Sequence, residues 1–456
     1  MDATQLKELF QNFVSYLNIV LLGIIFLFLL IAWYYIPYFI LAFKKHKKFE
    51  KGNINYKYAV LIPARNESKV IKNCLDSLLN QEYPKDKYDV FVIIESKDDP
   101  TYEIVNKYPS NFHVVIRKDL VNKRTKGYAL NEAYLYIKEN NMSFDAFMIF
   151  DADNIMESDY ISLMNDCKNK GYQVASGYRN FTNASVNWIS SDSAILFSFI
   201  NNFTSNGRSI LFKKTTLSGT GYYVDFDIID NEGGWIFNGM TEDVELTTYC
   251  YYHNISMIYY SKAIYYDEQS PKMSIVHKQH IRWVWGFFED RKKFKKKEHD
   301  YGCLNKPTKN ISLWEYNFSL FPFASLCIVE VISFLIGLGL FISALVFSNI
   351  PEYSEIFWSN NLPRMTMVSM IISFLYLYLT FVLVALLIFI IDNKNLKFKW
   401  NKIIICSLTY LFFMMDFVFA FFDGLFHKDK RKTWDRINHE GNIVDSQALR
   451  SQNEKE

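Results

Sequence analysis

Residues 144–153 read FDAFMIFDAD. The apolar run Phe147 to Phe150 breaks off at two acids one residue apart, Asp151 and Asp153. A short apolar run that stops abruptly reads as a buried strand. In an extended segment, residues two apart point the same way, so both carboxylates are expected to face one ligand at the strand's end. Hard oxygen ligands so placed suit Mg²⁺ or Mn²⁺ bridging a diphosphate, with water completing the coordination.

Working upstream, YAVLIPARNE (58–67) opens with a strand, Tyr58 to Ile62, stopped by Pro63. KVIKNCLDSLLNQ (69–81) then puts Val70, Ile71, Cys74, Leu75, Leu78 and Leu79 on one helical face. YDVFVIIES (88–96) and FHVVIRKD (112–119) read as two further strands with helical patterns between them. Strands alternating with helices predict an α/β domain with a mainly parallel sheet, whose ligands sit beyond the carboxyl ends of the strands. The polar residues after each strand are therefore the candidates for chemistry.

Outside this middle region the composition changes. Half of the residues are hydrophobic (50%) and 18% are aromatic, and the apolar ones gather towards the two ends of the chain. Residues 13–43 carry no charge and are long enough to cross a bilayer. KKHKK (44–48) follows, which by the positive-inside rule places the next segment in the cytosol. Three more apolar stretches, at about Phe323–Phe347, Met365–Ile391 and Lys402–Phe426, bring the expected spans to four. The basic flank HKDKRK (427–432) favours a cytosolic tail, although four spans would place it outside.

The resulting division is a first span with its basic flank at 1–50, a catalytic domain at 51–272 and an amphipathic interface segment at 273–312. A transmembrane bundle at 313–426 and a polar tail at 427–456 complete it. A formal charge of +2 with no long single-sign tract excludes nucleic acid as a partner. The six cysteines lie far apart without a C-x-x-C pair, which argues against a zinc site or a disulfide framework.

Two further clusters carry chemistry. Thr241-Glu242-Asp243 precedes the helical stretch VELTTYCYYH, with Thr241 as N-cap and Asp243 in the first turn. The helix dipole there helps keep a carboxylate ionised, as a general base requires. Within SIVHKQHIRWVWGFFEDRKKFKKK (274–297), helical spacing puts Gln279, Arg282 and Trp283 on one face. Arg can hold phosphate oxygens and Trp can stack on a sugar ring.

The ordered set of strand and D-x-D, then T-E-D, then Q-x-x-R-W ahead of apolar spans resembles the membrane-bound family 2 glycosyltransferases. That group includes the cellulose, hyaluronan and chitin-oligosaccharide synthases. The resemblance covers Tyr58 to Gly286 together with the span layout. It implies a cytosolic GT-A-like nucleotide-sugar domain fused to an α-helical bundle. It also implies a UDP-sugar donor, a divalent cation, and a growing glycan or a lipid as acceptor, in a multi-pass protein of a bacterial plasma membrane.

Roles follow from the resemblance position by position. Ala64, Arg65, Asn66 and Glu67 match the first nucleotide-binding loop, with Glu67 at the ribose or base. Glu95 stands where many members have Asp for the uracil, and Asp99 matches the later acid of that loop. Lys126 matches a lysine near the phosphates, and Asp151 and Asp153 the acids that hold nucleotide-sugar and metal. Asp243 matches the general base, beside Glu242 on the acceptor side. Ser218, Gly219, Thr220 and Gly221 match an acceptor loop. Gln279, Arg282 and Trp283 match the motif that binds diphosphate and positions the acceptor. Trp434, Ile437 and His439 resemble a W-x-x-I-x-H ending.

One base and no nucleophile imply direct displacement with inversion, giving a β-linkage from an α-linked donor. The leading expectation is a processive β-polysaccharide synthase. The rivals are a transferase acting on diacylglycerol or a polyprenyl carrier, and a transporter or receptor with an inactive transferase domain. Glu330, Asp416 and Asp423 are ionisable residues in apolar stretches, where a sugar path and simple packing are equal explanations.

Overall fold

The computed structural model describes residues 34–44, 48–120, 125–297, 311–319 and 362–431, with scattered positions within 5–23 and 335–349. Most of the expected spans at 13–43 and 323–347, and the motif at Trp434, Ile437 and His439, lie outside the described residues.

Among the described residues, eight strands form one sheet in the order β3-β2-β1-β4-β7-β6-β8-β5. They are β1 (Tyr58–Pro63), β2 (Tyr88–Ile94), β3 (Phe112–Ile116), β4 (Ala146–Ile149), β5 (Ile155–Met156), β6 (Val174–Phe181), β7 (Tyr222–Asp225) and β8 (Met257–Asp267). The four strands read from the sequence make the parallel half, with Leu61 level with Ile149 across β1 and β4. The other half is mixed. β7 runs antiparallel to both β4 and β6, β8 runs parallel to β6, and β5 pairs antiparallel with β8. The sheet is thus mixed and mostly parallel.

Ten helices matter below: α1 (Ile71–Leu79), α2 (Lys126–Glu139), α3 (Tyr160–Asn169), α4 (Trp188–Phe199), α5 (Asn206–Phe212), α6 (Glu242–Tyr252), α7 (Met273–Lys297), α8 (Ile311–Ser319), α9 (Leu362–Leu396) and α10 (Trp400–Phe426). A π-helical segment, Ile200–Ser205, joins α4 to α5.

The continuous apolar run of β1 follows from burial on both faces. Tyr58, Val60 and Ile62 pack with Ile71, Leu75 and Leu78 of α1 on one side. Ala59 and Leu61 pack with Leu130, Ala133 and Ile137 of α2 on the other. Leu79, expected on the buried face of α1, is 36% exposed because the helix ends there.

A third core joins α4 to α9 and α10 through Ile195, Phe197, Phe381, Ile388, Tyr410 and Phe413. Within it Asp392 is fully buried. It accepts hydrogen bonds from Tyr178 Oη (2.7 Å), Asn202 Nδ2 (2.7 Å) and Asn395 Nδ2 (2.6 Å), which offset its desolvation. Among the described residues, Leu377–Leu396 and Trp400–Phe426 are the two helices long and apolar enough to cross a membrane.

Candidate active site

The acids after β4 are placed by a turn. Asn154 N bonds back to Asp151 O (3.1 Å), while Asp151 N donates to Asn154 Oδ1 (3.1 Å) and Thr220 Oγ1 (3.0 Å). Strand alternation had predicted two carboxylates on one side. A folded turn does the work instead, because β4 ends at Ile149 and the chain bends before Asp153. Asp151 and Asp153 both line the same cavity.

Lys126, at the start of α2, reaches this turn. Its ammonium pairs with Asp151, donates to Gly219 O (2.7 Å) and lies 4.0 Å from Glu242. Burial works against the charge, but Asp151, Glu242 and Asp243 outweigh it and hold Lys126 above its ordinary pKa. The neighbouring Gly127 lets the 237–238 backbone come close, since a Cβ there would sit 1.9 Å from Phe237 O.

The helix α6 brings in Glu242 and Asp243. Thr241 occupies the N-cap position, but its side chain does not cap the helix. Its hydroxyl donates to Asp290 of α7 (2.5 Å), tying the two helices together. Gly286 of α7 permits this approach, because a Cβ there would meet Thr241 Oγ1 at 2.7 Å. Burial raises the pKa of Asp243, and the backbone amides of Val244, Asp243 and Gly219, with Lys126, pull it partly back. Burial and the charge of Asp243 likewise raise Glu242, against Lys126.

On the nucleotide-loop side, Arg65 Nε pairs with Glu95 Oε2 at 3.2 Å, and both line the cavity with Glu67. Asp99 is buried beneath the loop. Its carboxylate accepts from Asn66 N (2.6 Å) and Thr101 N (2.9 Å), fixing Asn66 in its left-handed conformation (φ 56°).

One cavity of about 640 Å³ is lined by the D-x-D acids, by Glu242 and Asp243, and by Gln279, Arg282 and Trp283 of α7. Lys126, Glu67, Glu95, Ser218 and Gly219 also border it. Thr220 and Gly221 are not among the lining residues. Thr220 is buried behind the D-x-D turn, and Gly221 joins the sheet through Ile149 O (2.9 Å).

Two residues escaped the sequence reading, Arg179 and Asp267. Arg179 of β6 bonds through Nε to Asp267 Oδ2 (3.0 Å) and through a terminal nitrogen to Ser218 O (3.0 Å), with its guanidinium 4.0 Å from the Phe197 ring centroid. Asp267 also accepts from Asn154 Nδ2 (3.0 Å), linking it to the acidic turn. Strands rich in aromatic residues, VASGYRNF and MIYYSKAIYYD, were the available signal. His277 and His280 face α10 instead of the cavity, with Nδ1 atoms 2.7 Å from Asp416 Oδ1 and Oδ2 respectively.

No group of three or more His, Cys, Asp or Glu side chains able to hold a metal occurs among the described residues. Two carboxylates at a cavity wall nevertheless suit a hard cation that takes its other ligands from diphosphate and water, so the donor set fits Mg²⁺ or Mn²⁺.

The model of the family described as "Glycosyltransferase like family 2" matches residues 55–286. The probable glycosyltransferase YdaM of Bacillus subtilis (strain 168) is 30% identical over 245 residues, 50% of this chain and 55% of the relative. The beta-monoglucosyldiacylglycerol synthase of Trichormus variabilis is 25% identical over 255 residues, 54% of this chain and 52% of the relative. The chain thus spans about half the length of these curated relatives. The structure of the Pyrobaculum calidifontis mannosyltransferase PcManGT, in complex with GDP-Man and Mn²⁺, superposes with a TM-score of 0.51 at 14% identity. The match covers 86% of this chain and 99% of that one, and shows a shared fold. With the family model covering half of its length, the chain belongs to the glycosyltransferase-like family 2.

Proposed function

We propose that the protein transfers a hexose or N-acetylhexosamine from a UDP-sugar to a hydroxyl acceptor with inversion, at a membrane. The observation that carries this reading is the single cavity shared by Asp151, Asp153, Asp243, Gln279, Arg282 and Trp283, which come from three distant segments.

Each side chain then has a task. Glu67 and Glu95 border the nucleoside end, and Asp151 and Asp153 would hold the cation. A bound Mg²⁺ or Mn²⁺ would supply charge neutralisation to the leaving diphosphate. Arg282 binds diphosphate oxygens, and Lys126 reinforces the positive field from beside Asp151. Trp283 and Gln279 position the acceptor. Asp243, held by three backbone amides, takes the acceptor's proton as its oxygen bonds to the anomeric carbon and UDP departs with the electron pair.

Two acceptors suit this chemistry. A growing β-linked glycan is favoured by the Q-x-x-R-W resemblance. A membrane lipid is favoured by the apolar part of the cavity lining and by the name of the Trichormus relative. The test is release of UDP by the full-length protein with Mn²⁺ and individual UDP-sugars, with GDP-mannose as a control. Turnover of at least one UDP-sugar, lost in Asp243→Asn, is expected. No UDP release from any of them, or release indifferent to that substitution, overturns the proposal.

A further inference from the structure

One stretch of the cavity wall, called the chamber below, is hydrocarbon drawn from a single apolar cluster. Leu196 and Ile200 come from α4 and the π segment, Val384 from α9, and Met414 and Phe417 from α10. Trp283 borders the same space, its ring 5.9 Å from that of Phe197 and 6.3 Å from that of Phe417. Two of the polar groups nearby are already engaged. Thr204 Oγ1 donates to Ile200 O (2.9 Å) within its own helix. The Arg208 guanidinium is held by Glu315 (Nε to Oε2, 3.1 Å) and donates to Thr216 Oγ1 (2.6 Å). Tyr35 and Tyr410 add ring faces and one hydroxyl each.

A passage for glycan needs donors and acceptors to replace the water around each sugar, whereas walls of this kind reward burial of hydrocarbon. Charge narrows the choice further. Glu242, Asp243, Asp267 and Glu268 border the cavity. Among its cations Lys126, Arg179, Arg65 and Arg208 are already paired with Asp151, Asp267, Glu95 and Glu315, Arg117 lies on the nucleotide-loop side near Glu95, and Arg282 is assigned to the donor diphosphate. A second phosphate on the acceptor would meet repulsion there, while a neutral hydroxyl would not.

We infer that the acceptor is a neutral diacylglycerol-type lipid, with its free hydroxyl at Asp243 and an acyl chain along this chamber. The inference rests on the donor reading given above. In the step, the lipid hydroxyl oxygen bonds to the anomeric carbon as that carbon's bond to the diphosphate breaks. The hydroxyl proton passes to Asp243, and the electron pair leaves with UDP.

The experiment uses the full-length protein in detergent micelles with a labelled UDP-sugar and either 1,2-dioctanoylglycerol or a soluble β-linked oligosaccharide. Label is expected in the organic extract. KM for the lipid should fall as the acyl chains lengthen from hexanoyl to octanoyl, by up to about fourfold per methylene that the chamber contacts. Ile200→Trp or Val384→Phe, which fill the chamber, should raise KM for the lipid by about tenfold while KM for the UDP-sugar stays within about twofold. Label in oligosaccharide or high-mass soluble product, with none in the extract, overturns the inference. So does a lipid KM indifferent to chain length in the unsubstituted protein.

UDP release into water without acceptor separates the two failures. If release persists and depends on Asp243 while no lipid is labelled, the donor reading stands and the lipid acceptor falls. If no nucleotide-sugar is consumed under any condition, both fall together.

Discussion

The acidic turn after β4 and the aromatic helix α7 border the same cavity, yet they are held in place by different means. The turn hangs from a strand paired on both sides and buried on both faces, with the Asp151 amide N–H donating to the side-chain oxygens of Thr220 and Asn154. The helix leans on α10, through His277 and His280 against Asp416, the His280 ring 3.8 Å from that of Phe417, and Trp285 stacked 5.4 Å from Phe421. Moving the turn means opening the core of the domain. Moving α7 means sliding it along α10 and parting Asp290 from the Thr241 hydroxyl at the N-cap of α6. In the proposed roles, the cation-holding acids Asp151 and Asp153 are therefore fixed by the sheet, while Gln279, Arg282 and Trp283 depend on the apolar helices.

The largest expected effect breaks the chemistry and leaves both supports intact. Asp243→Asn should lower kcat by about 10²- to 10⁴-fold with an unchanged unfolding temperature, as UDP release and thermal melts would show. A loss of less than tenfold would remove Asp243 as the base.

Lys126→Met comes next and probes the turn alone. It should cost about 10²-fold in turnover and weaken donor binding while sparing KM for the acceptor. Unequal damage of the opposite kind would mean that the two halves are not separate.

His280→Ala sharpens the comparison from the other side. Removing a buried partner of Asp416 should cost about 2 kcal/mol of stability, read by thermal unfolding in detergent, and raise KM for the acceptor several-fold. Donor KM should rise less, since only Arg282 on this helix is assigned to the donor. An equal rise in both constants would contradict the division.

The pH dependence gives two smaller effects. Burial raises Asp243, and the base must be unprotonated, so kcat/KM should fall as pH drops through a value above the ordinary Asp pKa of about 3.9. Asp290 is pushed up to about 8 by burial and by Glu245. Its folded form therefore binds the proton more tightly than the unfolded chain does. Stability should decline as pH rises from about 3.9 towards that value and level off beyond it. Asp290→Asn, which keeps an acceptor for the Thr241 hydroxyl, should flatten that decline in melts between pH 4 and about 8.

The same contrast governs what could be read in advance. β1, β2 and β4 announce themselves because a strand buried on both faces must be apolar along most of its length, and the acids stand where β4's run ends. Gln279, Arg282 and Trp283 were legible because helical spacing alone puts them on one face. Arg179 and Asp267 were not, since their meeting depends on β6 pairing in parallel with β8, a contact nearly ninety positions apart in sequence. The placement of Thr220 and Gly221 behind the acids was equally hidden, because it follows from how β7 enters beside β4. Thr241 shows the limit of local rules. Its position satisfies the capping pattern, but the nearer partner is a carboxylate on another helix.

The widened turn at Ile200–Ser205 has a consequence for insertions and deletions. A π segment carries extra backbone relative to the α-helices on either side, and losing one residue would let it tighten to α geometry. The helices on either side would stay in register. The same loss in α5 just before Arg208 would instead swing everything after it by about 100° around the axis and carry Arg208 away from Glu315, so chain length should be more negotiable in the widened turn than in the helix that follows it.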